Sequence, residues 1–113
     1  MSLVNEWKAE GAVLEYEESG AEIVILSARV NGSRVKIPDR IEDRPVTKIG
    51  KKAFLSCKLL KEVFLPESLV EIGDWAFAYC SGLETIWIPE KNFSMGKGIL
   101  KECERLSRIC RLN

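Results

Sequence analysis

Ile49-Gly50-Lys51-Lys52-Ala53-Phe54-Leu55-Ser56-Cys57 opens a pattern that returns as Ile72-Gly73-Asp74-Trp75-Ala76-Phe77-Ala78-Tyr79-Cys80, displaced by 23 residues. The same step links Cys80 to Cys103, Gly73 to Gly96, Leu60 to Leu83 and Leu106, and Val63 to Ile86 and Ile109. Further columns agree: Ala53 with Ala76 and Ile99, Phe54 with Phe77 and Leu100, Ile49 with Ile72 and Met95, Leu65 with Ile88, and Pro66 with Pro89. A fixed period of this length, rich in Leu and Ile, marks a solenoid of stacked units. One unit is too small to bury its own apolar face, so copies must stack and share a continuous core. The columns are the expected core.

Within a unit, Val63-Phe64-Leu65-Pro66 alternates as a strand, with Val63 and Leu65 on one side and Phe64 on the other. Pro66 ends it. Ile72-Gly73 reads as a turn, and Asp74 to Cys80 as a short helical stretch with Asp74 as its cap, turning Ala76, Phe77 and Cys80 inward. Leu83 leads into the next strand.

The run from Val46-Thr47-Lys48-Ile49-Gly50 through Ala53-Phe54 and Cys57 to Val63 resembles the BspA-like leucine-rich repeat, and the copy from Ile72 to Cys80 resembles it equally well. The likeness covers residues 35 to 109. It implies a strand-lined solenoid used for recognition, often on extracellular proteins. The third unit, Asn92 to Leu100, departs from the Ile-Gly-x-x-Ala-Phe pattern.

The two ends differ from the repeats. Val13-Leu14-Glu15-Tyr16 and Ile23-Val24-Ile25-Leu26 read as strands around the turn Glu18-Ser19-Gly20-Ala21, and Asn31-Gly32 signals a further turn before Val35-Lys36-Ile37. An antiparallel meander closing the solenoid is expected, with Trp7 and Tyr16 packed on it. Pro38 to Pro45 is expected to be a loop. The organisation is thus a β-hairpin cap over residues 1–34 and repeats over 35–113. The fold class is an α/β-type repeat solenoid, with a parallel strand-lined face and short helices or turns opposite. At the far end, Arg108-Ile109-Cys110-Arg111-Leu112 begins a fourth strand with no capping segment after it.

Seventeen basic and seventeen acidic residues give no net charge, so the field that draws a protein to nucleic acid or an anionic membrane is missing. Neither is expected as a partner. Met1 to Lys8 lacks the basic start and apolar run of an export signal, which points to the cytoplasm for the sequence as it stands, and to the cell surface or secretion if it is a piece of a longer protein. There is no histidine, the usual proton shuttle at neutral pH, and no Gly-x-Ser-x-Gly elbow. Gly96 and Gly98 belong to the repeat, not to a phosphate loop. Neither catalysis nor a cofactor is expected. The cysteines lack the close pairing of a zinc site and fall at core positions, where free cysteine packs as a small hydrophobe.

Strand alternation places Lys36, Phe64, Trp87 and Cys110 in one outward column, flanked by Arg34, Glu62, Thr85 and Arg108. Phe64 and Trp87 then form an apolar strip rimmed by charge, the composition of an interface hot spot. The alternative is that aromatics simply suit strands. The leading expectation is a protein-interaction module that binds a partner through Lys36, Glu62, Phe64, Thr85, Trp87 and Arg108. A second is a structural protein that dimerises through Ile109, Cys110, Arg111 and Leu112, with Cys110 able to form an intermolecular disulfide. A third is a carbohydrate-binding surface. Trp75, at the variable position of its unit, is expected on the outer face.

Overall fold

The computed structural model describes residues 5–112, and among them are eleven strands and no helix. Strands β1 (Asn5–Ala9), β2 (Ala12–Ser19) and β3 (Glu22–Val30) form an antiparallel meander. Ala12, Leu14 and Tyr16 of β2, with Ile23 and Ile25 of β3, face the core, as their alternation requires. The meander is built from β1, upstream, and not from Val35-Lys36-Ile37. Asn31-Gly32 instead turns the chain a corner, where both amides donate to the Gly11 carbonyl, and β4 (Arg34–Lys36) enters a second sheet.

Each later coil contributes one strand to each of two parallel sheets. β4, β7 (Glu62–Phe64), β9 (Thr85–Ile88) and β11 (Arg108–Arg111) make the first, the sheet expected from the sequence. The second runs through β6 (Arg44–Ile49), β8 (Glu71–Ile72) and β10 (Ser94–Met95). Ile72, read as part of a turn, is therefore a strand residue buried in register with Ile49. β3 pairs in parallel with β6, so the meander and the repeats share one sheet and one continuous core. Pro38 to Pro45 is not an open loop. β5 (Arg40–Ile41) pairs antiparallel with β6 through Glu42-Asp43, both at positive φ as a two-residue hairpin turn demands, and Ile41 is buried.

The third side of each coil corrects the helical expectation, and with it the α/β class: the solenoid is all-β. Between Gly50 and Cys57, alternate amides take different partners. Ala53, Leu55 and Cys57 donate to the carbonyls three residues back, while Lys52, Phe54 and Ser56 donate to Asp74, Ala76 and Ala78 of the next coil. Trp75, Phe77 and Tyr79 donate in the same way to Lys97, Ile99 and Lys101. Left-handed backbone recurs at the same two places in every unit, at Lys52, Trp75 and Gly98, then at Ser56, Tyr79 and Glu102. These reversals stop a helix from propagating and turn every second amide towards the neighbouring coil.

Inside, Phe54 and Phe77 stack with ring centroids 4.8 Å apart. The cysteine column also reaches back one coil: the Cys80 thiol donates to the Phe54 carbonyl and the Cys103 thiol to the Phe77 carbonyl, both at 3.1 Å. At Gly73 the coils approach so closely that a Cβ would lie 2.6 Å from the Lys51 nitrogen. Gly73→Ala is therefore expected to destabilise the protein by about 1–3 kcal/mol in urea unfolding, the usual cost of overpacking. An unchanged midpoint would show that the coils separate there at no cost.

Candidate functional site

The outer surface of the first sheet gathers most of the expected site. Registers join Lys36 to Phe64, Phe64 to Trp87 and Trp87 to Cys110, so the column is continuous across four strands. The Phe64 and Trp87 rings lie 5.4 Å apart and 7° from parallel, both half-buried. Three polar contacts fix them. The Arg34 guanidinium sits 4.8 Å over the Phe64 ring, the Trp87 indole N–H donates to Glu62 at 2.7 Å, and Arg34 approaches that same carboxylate at 3.8 Å. The pair is a stacked platform whose indole N–H is satisfied by Glu62 and whose rings remain partly exposed. Stacking of this kind contributes about 0.5–1.5 kcal/mol beyond area burial.

The flanking column Arg34, Glu62, Thr85 and Arg108 is also in register. Thr85, however, is only 6% exposed and lies between the longer Glu62 and Arg108, so it offers a partner almost no surface. A residue not anticipated is Glu10, which bridges to Lys36 through the backbone and approaches Arg34 at 3.7 Å. Beside the platform a groove of about 320 Å³ is lined by Glu10, Arg34, Lys36, Phe64 and Leu112. Leu112, expected at the solenoid's end, therefore faces this groove. The signal for Glu10 was absent from the repeat pattern because it precedes the first coil.

The second expected site, the end of the solenoid, is an open core. β11 is the outer strand of its sheet, and Ile109, in register with the buried Ile86, is 59% exposed because no further coil covers it among the described residues. An apolar cavity of about 280 Å³ opens there, lined by Ile86, Ile88, Phe93, Leu100 and Ile109 among others. Met95 is 64% exposed beside it. Arg111 donates to the Glu90 carbonyl and Cys110 is half-buried.

All four cysteines are thiols. The Cys57 thiol next to it, and then burial, push the Cys80 thiol well above the ordinary range. Burial pushes Cys103 up as well.

A family model described as the BspA type leucine rich repeat region matches residues 30–111, in six copies. No curated protein matches the chain. Two solved structures share the fold. One is a leucine rich cell surface protein from Faecalibacterium prausnitzii A2-165, with a TM-score of 0.73 at 24% identity over 92% of this chain and 30% of that one. The other is a leucine rich repeat protein of T. pallidum, with a TM-score of 0.70 at 27% identity over 93% of this chain and 49% of that one. The chain thus spans less than half the length of either protein.

Only the thiolate attacks an alkylating reagent, so a raised pKa and burial both slow the reaction. In native protein treated with iodoacetamide and read by mass spectrometry, the half-buried Cys57 and Cys110 are expected to react before the buried Cys80, which reacts only on unfolding. A rate at Cys80 equal to theirs would contradict the coil-spanning thiol contacts.

Proposed function

The chain belongs to the BspA-type leucine-rich repeat family, and from that premise we propose that it is a protein-interaction module that binds its partner through the Phe64–Trp87 face. The observation that carries this reading is the platform itself. Two large rings lie parallel on the outer side of a sheet, Phe64 under the Arg34 guanidinium and Trp87 bonded through its indole N–H to Glu62. The inner side of the same strands, Val35, Val63 and Ile86, already supplies the core. Folding therefore has no need of two aromatic rings on the outer side. Rigid aromatics with an adjacent Arg are the groups that most often dominate the energy of an interface, and their fixed geometry lowers the entropy lost on binding. A repeat scaffold with this surface suits recognition.

A surface or secreted setting accompanies this reading better than the cytoplasmic one. The fold recurs within longer proteins, one of them described as a cell surface protein.

With the chain immobilised and the native cell-surface fraction passed over it, a captured protein should be lost on Trp87→Ala and on Arg34→Glu. Melting temperature should fall less than on truncating a core ring such as Phe77, since both side chains stand outside the core. Capture that survives both substitutions would move the binding surface elsewhere.

A second reading rests on Ile109, 59% exposed among the described residues: two copies meet through β11 and cover it. Bare strand edges and uncovered apolar ends favour pairing. Light scattering across a concentration series is then expected to show a dimer with reductant present, converted to monomer by Ile109→Glu. A monomer throughout would remove this reading and leave the platform untouched.

A further inference from the structure

The turn side of the solenoid, remote from the platform in each coil, carries a second surface of different chemistry. At its two left-handed positions the first coil has Lys52 and Ser56, and the third has Gly98 and Glu102, while the middle coil has Trp75 and Tyr79. Left-handed backbone costs a residue with a Cβ about 1–2 kcal/mol, and small or flexible side chains serve those positions in the neighbouring coils. Ala76, Phe77 and Cys80 supply the core there, so the rings contribute little to it.

The rings are nonetheless held in place. Gly98 leaves the space the indole occupies, since a Cβ on it would lie 2.4 Å from Trp75 Cδ1. On the ring stand the ammonium groups of Lys51 at 5.6 Å and Lys52 at 5.3 Å. Tyr79 is 43% exposed and Leu55 39%. Together with Lys101 and Ser56, Lys52, Leu55, Trp75 and Tyr79 line a shallow cavity of about 370 Å³ without a single carboxylate. Asp74, the acidic neighbour in sequence, is turned aside to accept from the Lys97 amide at 3.0 Å.

We propose that this apolar floor with its lysine rim is a docking site for an acidic peptide segment of a protein partner. An apolar side chain of that segment lies on Leu55 and Tyr79 beside the edge of Trp75, and its flanking carboxylates meet Lys51, Lys52 and Lys101. Charge complementarity selects this occupant. A small inorganic anion would leave the aromatic floor uncovered, and a neutral sugar finds lysine donors but no carboxylate acceptor for its hydroxyls. The site is independent of the Phe64–Trp87 platform.

The test is fluorescence anisotropy with a labelled glutamate-rich peptide carrying one central leucine, beside a glutamine version of it. The glutamate peptide should bind, weaken with salt, and lose at least about tenfold in affinity on the double substitution Lys52→Glu with Lys101→Glu. Tyr79→Ala, at an exposed ring, should weaken it too, while Lys36→Glu on the platform side should leave it unchanged. Absence of binding, equal binding of the glutamine peptide, or affinity indifferent to the double substitution would overturn the proposal. So would binding of heparin at this site with no response to the peptide.

Discussion

No coil of this protein can exist alone, because the hydrogen bonds that satisfy its turn segment end on the next coil. Lys52, Phe54 and Ser56 have their acceptors one period further on, and Trp75, Phe77 and Tyr79 repeat the arrangement. A buried amide without an acceptor is costly, so each coil fixes the spacing of its neighbour. Everything else follows from that spacing. It brings Phe54 onto Phe77, leaves no room for a side chain at Gly73, and lets the thiols of Cys80 and Cys103 reach a carbonyl in the preceding coil.

That same dependence explains what could be read from the sequence. Stacked columns must be apolar or small at every repeat, so the period, the core residues and the strands at Val63 and Ile86 were legible. The outward column from Lys36 to Cys110 was equally so, since alternation on a short strand leaves one choice. The turn side was not. Asp74-Trp75-Ala76-Phe77-Ala78-Tyr79-Cys80 has the spacing of a one-turn helix, and nothing local shows that Trp75 and Tyr79 adopt left-handed backbone. Their conformation is imposed by acceptors in another coil. The second parallel sheet was hidden for a similar reason: β8 and β10 have two residues each, too few to show alternation. The hairpin at Arg40 to Arg44 lacks the Asn-Gly or Asp-Gly signal and forms its turn with Glu42-Asp43.

The two surfaces make different use of the scaffold. On the sheet side, neighbouring strands hold Phe64 and Trp87 parallel, and the ion pair of Arg34 with Glu62 steadies both rings. On the turn side, the repeat places Trp75 between lysines of one coil and a glycine of the next. Thr85 marks the limit of reading by register. It occupies an outward position but disappears beneath longer neighbours, because exposure depends on side-chain length as well as direction.

Native-state hydrogen exchange at Phe54 and Phe77 addresses the coil-to-coil dependence most directly. If acceptors in the next coil hold the turn side, these amides exchange only through global opening, with the same sensitivity to denaturant as Val63 and Ile86 in the strands. Rapid exchange of Phe54 and Phe77, insensitive to denaturant while the strand amides remain protected, would contradict it and make the turn side a passive covering on a self-sufficient sheet.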